Sequence, residues 1–218
     1  MSIKQNLQDI KSHIPEHVTL VAVSKTKPNS DIMEAYNAGQ RIFGENKIQE
    51  MADKYEALPK DISWHMIGHV QRNKVKYMAP FVSLIHGMDS FKLLKEIDKQ
   101  AKNESRIIDC LLQLKIAEEE SKFGMSKTDA LNMLQSDQFQ ELKNVRITGV
   151  MGMATFTDNE AQVIAEFNRL KTIFNELKIL HSNLEIISMG MSGDYELAIN
   201  CGSNMIRVGS SIFGTRSY

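Results

Sequence analysis

The run Thr19-Leu20-Val21-Ala22-Val23-Ser24-Lys25-Thr26-Lys27-Pro28 is apolar and β-branched up to a lysine. A proline and two good helix N-caps, Asn29 and Ser30, follow. A stretch apolar on both faces is the signature of a central parallel strand. Val21, Val23 and Lys25 share one face of it. That puts Lys25 at the carboxyl end, where parallel α/β folds hold their chemistry. Two readings are open. A strand-end lysine ordinarily lifts its ammonium into water. A lysine with its pKa lowered by burial attacks carbonyls and forms a Schiff base.

Two Gly/Ser stretches could hold an anion: Met189-Gly190-Met191-Ser192-Gly193-Asp194 and Gly209-Ser210-Ser211. Each runs from a strand pattern into a helix or helical turn. Backbone N–H groups there bind phosphate, glycine lets the backbone come close, and a hydroxyl adds a donor. Phosphate contacts are assigned to Ser192, Gly209 and Ser210. The plain alternative is two ordinary βα turns with caps. Arg207 lies two residues before Gly209 and shares its strand face. If that face is the barrel interior, Arg207 is a buried cation below the phosphate site. Its partner is then either a carboxylate or a ring nitrogen of a phosphorylated cofactor. A lysine, a phosphate site and an arginine beneath it point to pyridoxal 5′-phosphate on Lys25. An arginine at the pyridine nitrogen weakens the electron sink and argues against chemistry such as transamination.

His65 and His69 are four apart, but Gly68 breaks the helical register a zinc pair would use, so no metal site is expected. They read as core or loop residues. Met151, Met153, Met189 and Met191 read as packing.

The elements that must position these groups alternate. Residues 2–14 show a helical stripe stopped by Pro15, and strand 1 follows. A helix over 31–38, with Gly39 past its end, leads to strand 41–43 and helix 47–58. Strand 63–67, a short helix over 73–79 and strand 81–86 come next. Ser90 caps a helix bearing Leu93, Leu94, Ile97 and Ala101. Strand 107–114 follows, then a helix from Ser126 to about Leu134 and strand 145–150. Thr157 and Glu160 make a capping-box pattern before the stripe Val163, Phe167, Leu170, Phe174 and Leu177. Strand 184–188, helix 195–200 and strand 205–208 close the series. Eight strand–helix units in 218 residues give a single (β/α)8 TIM barrel spanning 1–218. A doubly wound open sheet competes only if two of the weaker strands fail. The last unit has little helix of its own, so the N-terminal helix is expected to cover the gap. The strand ends would gather Lys25, Asn46, His65 or His69, Met88 or Asp89, Lys115, Met153, Ser192 and Arg207 at one mouth.

Lysine plus arginine (26) nearly cancels aspartate plus glutamate (27), which gives no electrostatic reason to expect nucleic acid or an anionic membrane. Cys110 and Cys201 lie in apolar segments and read as reduced thiols. Residues 1–14 lack the apolar core of a signal peptide, and no run approaches a membrane span. A soluble, cytoplasmic protein is expected.

With these residues in view, the chain resembles the pyridoxal-phosphate homeostasis proteins of the YggS/PROSC type. The motifs are Val21-Ala22-Val23-Ser24-Lys25-Thr26-Lys27-Pro28, Phe43-Gly44-Glu45-Asn46, Trp64-His65-Met66-Ile67-Gly68-His69-Val70-Gln71-Arg72-Asn73-Lys74, Ser121-Lys122-Phe123-Gly124-Met125, Met189-Gly190-Met191-Ser192 and Arg207-Val208-Gly209-Ser210-Ser211-Ile212-Phe213-Gly214. The resemblance implies an alanine-racemase-type barrel, fold type III, without that enzyme's added β-domain. It implies the cofactor on Lys25, Asn46 near its ring and Arg207 at the pyridine nitrogen. It also implies phosphate contacts from Ser192, Gly209 and Ser210. Gly193 departs from the family, which usually shows aspartate there.

Three functions follow. The first is a protein that buffers and delivers pyridoxal 5′-phosphate to transient client apoenzymes without turnover, which the family is thought to do. The second is an amino-acid racemase, but racemases on this barrel use a further domain and a partner's tyrosine, for which a chain ending at Tyr218 leaves no room. The third is a Schiff-base barrel enzyme acting on a phosphorylated metabolite. A monomer is expected. Lys122 reads as a surface lysine that could also hold a second cofactor loosely.

Overall fold

Each apolar run that ends in a polar mouth residue becomes a strand of one closed parallel sheet in the computed structural model, which describes residues 2–118 and 123–214. The first half comprises α1 (Ile3–His13), β1 (Thr19–Val23), α2 (Asn29–Asn37), β2 (Ile42–Glu45), α3 (Ile48–Ala57), β3 (Ser63–Met66), a 3-10 turn (Arg72–Lys74), α4 (Val75–Met78) and β4 (Leu84–Met88). The second half comprises α5 (Phe91–Asn103), β5 (Ile108–Gln113), α6 (Lys127–Gln135), α7 (Asp137–Gln140), β6 (Val145–Met151), α8 (Glu160–Leu180), β7 (Ile186–Ser188), α9 (Tyr195–Asn200), β8 (Met205–Val208) and α10 (Ser210–Phe213). Every strand pairs in parallel with the next, and β1 closes on β8 with Val21 opposite Arg207.

Side-chain alternation splits the core in two. Leu20, Ala22, Phe43 and Trp64 point outward and pack with the helices. Val21, Leu84, Leu111, Met151 and Met205 point inward and fill the barrel floor. The helical stripes named above are buried as the spacing requires: Leu93, Leu94, Ile97 and Ala101 in α5, and Val163, Phe167, Leu170, Phe174 and Leu177 in α8. Ser90 accepts the Leu93 N–H and Ser126 accepts the Asp129 N–H, each capping its helix. The N-terminal helix does cover the end of the barrel. α1 packs on α10, and Asn6 Nδ2 donates to the Ile212 carbonyl at 3.0 Å.

Several boundaries differ from the sequence expectation. β4 begins at Leu84, not Phe81, because the N–H groups of Phe81 and Val82 donate to the Met78 carbonyl and finish the turn after α4. The strand then continues to Met88, which is buried. α8 is capped by Asn159, whose side chain accepts from Gln162, and not by Thr157. The cap position of α2 is Pro28, ahead of Asn29 and Ser30. The extra short helix α7 follows α6 directly, with Ser136 capping it. Ser121 and Lys122 lie outside the described residues.

Candidate functional site

β1 ends at Val23, two residues before Lys25, but Ser24 N still donates to Gly44 O at 3.0 Å and carries the strand course one residue on. Lys25 then sits in a turn that is tied down on both sides. The buried Ser24 hydroxyl donates to Glu45 Oε1 at 2.6 Å. Thr26, with φ at 63°, donates its N–H to Glu50 Oε1 at 2.5 Å. Lys54 joins the two anchors: its ammonium reaches Ser24 O at 2.8 Å, Glu45 Oε1 at 2.8 Å and Glu50 Oε1 at 2.7 Å. That uses all three protons of an ammonium group. Glu45 is fully buried and its Oε2 has no hydrogen-bond partner among the described residues. Burial pushes the Glu45 carboxyl up, and the Lys54 charge opposes that.

This clamp was not anticipated, although Glu50 and Lys54 show the i, i+4 spacing of an ion pair. Lys54 also follows Met51 by three, which turns it toward the buried face of α3.

The strand ends surround a cavity of about 570 Å³. Lys25, Asn46, Ser192, Arg207, Gly209 and Ser210 all line it. Met153 joins them, while Phe156 stands at the rim, 95% exposed. Ser192 Oγ accepts from Gly209 N at 3.1 Å and from Ser211 N at 3.5 Å, so two backbone donors converge on one oxygen. A Cβ added to Gly209 would sit 3.2 Å from both Val23 Cβ and Val23 O, which keeps that turn close to β1. Asp194 Oδ1 accepts from Met191 N at 2.5 Å and holds the other loop.

Arg207 is buried with Nη1 donating to Ser188 Oγ at 2.6 Å and Nη2 donating to Gly152 O at 3.1 Å. Burial pushes its guanidinium down to about 10, with Asp194 pulling the other way, so it stays charged at neutral pH. Ser188 continues to His86 Nδ1 at 3.0 Å, and His86 Nε2 to His65 Nδ1 at 3.0 Å. Sequence reasoning left His65 as a core residue and overlooked His86 and Ser188. His86 lay within the strand expected over 81–86, but no local pattern pairs it with Ser188, 102 residues on in β7.

The other residues expected at the mouth go elsewhere. His69 pairs with Asp89 at 3.4 Å and stacks on Phe123 with centroids 4.8 Å apart. Lys115 lines a separate hollow of about 820 Å³ between α6 and α8, together with Lys127, Asp129, Arg169 and Glu176. No group of three or more metal-ligating His, Cys, Asp or Glu side chains occurs among the described residues.

The model of the alanine racemase N-terminal domain family matches residues 1–217. The pyridoxal phosphate homeostasis protein of Vibrio alginolyticus is 36% identical, over 100% of this chain and 99% of that one. The chain belongs to the pyridoxal phosphate homeostasis protein family. The homeostasis protein of Escherichia coli K12 is 35% identical over 94% of this chain and 88% of its own. PipY of Synechococcus elongatus, solved without pyridoxal phosphate, superposes with a TM-score of 0.92 at 36% identity, covering 98% of this chain and 100% of PipY. PipY with pyridoxal phosphate bound superposes at 0.88 and 35% identity over the same shares. An alanine racemase of Clostridium difficile shares the barrel at a TM-score of 0.83 but only 12% identity, and this chain covers 60% of it. A Cβ on Gly193 would meet nothing within 4 Å, so the loop has room for a side chain such as aspartate at this position.

Proposed function

We propose that this chain binds pyridoxal 5′-phosphate as a Schiff base on Lys25 and buffers and delivers it without turnover. The observation that carries the reading is the single cavity joining Lys25 to Arg207 and to the Gly209–Ser210 turn. At about 570 Å³ it has the size of a small-molecule site. Two backbone N–H groups already gather on the Ser192 oxygen, which is what a phosphate oxygen would need. Relatives at 35–38% identity bear the homeostasis name, and PipY has been solved with pyridoxal phosphate.

The group supplies an aldehyde, a pyridine ring and a phosphate when bound. Lys25 supplies the amine, in a turn fixed by Ser24 and Thr26. Ser192, Gly209 and Ser210 orient the phosphate, and Asn46 stands beside the ring. Arg207 would place a hydrogen-bond-donating cation at the ring nitrogen, which would accept the bond and stay unprotonated. In this reading residues 1–218 are one cofactor-binding barrel domain, working as a monomer in the cytoplasm and meeting apoenzymes as transient clients. No described helix is long and apolar enough to cross a membrane.

Borohydride reduction of the purified protein, followed by peptide mapping, tests the reading. A phosphopyridoxyl group on Lys25 is the expected result. An unmodified Lys25 after incubation with excess cofactor would overturn it. The shared barrel of the alanine racemases makes turnover worth measuring: L-alanine incubated for hours with the loaded protein should keep its optical rotation.

A further inference from the structure

The barrel interior carries a polar chain that a binding cavity does not by itself require. Leu84, Ile186 and Met205 face the apolar floor. Two residues further toward the mouth on the same strands stand His86, Ser188 and Arg207, and His65 joins them from β3. All four are buried. They are linked in one line: Arg207 Nη1 to Ser188 Oγ at 2.6 Å, Ser188 Oγ to His86 Nδ1 at 3.0 Å, and His86 Nε2 to His65 Nδ1 at 3.0 Å.

Arg207 sets the direction of the line, because a guanidinium only donates. Ser188 Oγ therefore accepts from it. The serine proton is then left for His86 Nδ1. Were that nitrogen protonated instead, the buried serine hydroxyl would need a third partner, and its hydrogen bonds among the described residues are these two. A neutral histidine that accepts at Nδ1 carries its proton on Nε2. His86 Nε2–H thus donates to His65 Nδ1, and His65 in turn holds its own proton on Nε2. Successive bonds that all point one way polarise each other and strengthen the line.

We propose that Ser188 and His86 are positioning residues for Arg207. With His65 they form a one-way donor relay that fixes Nη1, while Gly152 O fixes Nη2. The guanidinium is thereby held in one orientation on the cavity floor, and its remaining N–H groups are reserved for the ligand. The positioning role rests on the reading that Arg207 meets the ring of pyridoxal phosphate. The relay itself does not.

Long-range proton–nitrogen NMR of the histidine rings, in protein freed of cofactor at neutral pH, reads the relay directly. An unprotonated Nδ1 and a protonated Nε2 are expected on both His65 and His86. A protonated Nδ1 on His86 overturns the relay. The second arm loads Ser188→Ala and Ser188→Thr with pyridoxal phosphate. Losing a hydrogen bond to a charged group should weaken binding in the alanine variant about tenfold and shift the pH profile of the visible absorbance. Threonine keeps the hydroxyl and should restore both. Binding and absorbance unchanged in Ser188→Ala overturn the positioning role. If the wild type takes up no pyridoxal phosphate, the cofactor reading fails and the positioning role with it. The tautomers still decide the relay, including where Ser188→Ala does not fold.

Discussion

The Ser24 hydroxyl donates to Glu45 Oε1 at 2.6 Å, so the residue before Lys25 is bolted to the end of the neighbouring strand. The residue after Lys25 is held by Glu50, and Lys54 unites both carboxylates from below. The turn that carries Lys25 is therefore tied down by a charged cluster.

Lys54→Met should destabilise the protein by about 3 kcal/mol, since it leaves two carboxylates without their cation in a buried site. Urea unfolding measures it. Adding Glu45→Gln to that variant should recover part of the loss, because the glutamine is neutral. A loss under about 0.5 kcal/mol would mean that the cluster is well solvated.

Lys25→Ala should melt within about 1 kcal/mol of the wild type, because it removes no packed apolar group. Its purified form should show no visible absorbance with pyridoxal phosphate. A collapse of the fold would instead make Lys25 a structural ion-pair partner.

Acid should unfold the protein through its buried histidines. Burial holds His65 down to about 3, against the usual 6.5. Burial, then the charges of His65 and Arg207, take His86 well below its ordinary value. Below about 6.5 the unfolded chain binds protons at both rings and the folded chain does not. Stability is therefore complete above that pH and falls as pH drops toward the folded values, by about 1.4 kcal/mol per unit for each ring. Urea midpoints between pH 7 and pH 4 give the slope, and His65→Gln should flatten it.

Glu166 ties down the cavity wall after β6. It accepts from Thr155 N at 2.6 Å, Thr155 Oγ1 at 2.7 Å and Glu118 N at 3.0 Å. Burial pushes its carboxyl up, but these donors outweigh burial and leave it below the ordinary range. Its contribution is present above the unfolded value and lost as pH falls through the lower folded one. Glu166→Gln should remove that component, cost about 2 kcal/mol at neutral pH and speed exchange of the Thr155 amide.

The barrel was legible because Val21, Phe43, Trp64 and Ile147 sit in short apolar runs at regular intervals, each followed by a helical stripe. Strand alternation put Arg207 on the inward face and Lys25 at the strand end, and the helical turns that follow marked out the Gly/Ser stretches; all of them line one cavity. What could not be read was polar and long-range. Ser24 finds Glu45 and Lys54 across two elements, and His86 finds Ser188 across the barrel. Those pairings depend on sheet closure, not on any local period. Phe81 and Val82 misled for the opposite reason: their β-favouring side chains are overruled by a turn that takes their N–H groups.

Lys25 follows the first strand and Arg207 lies on the last, and those strands become neighbours only when β1 seals against β8. The Lys27 ammonium adds a clasp by donating to Phe213 O at 2.8 Å. A chain emerging from the ribosome therefore offers half a pocket until nearly all of it has been made. Ligand capture is in effect a receipt for completed folding: an opened or truncated barrel lets go of its cargo, and a loaded one resists opening at that seam.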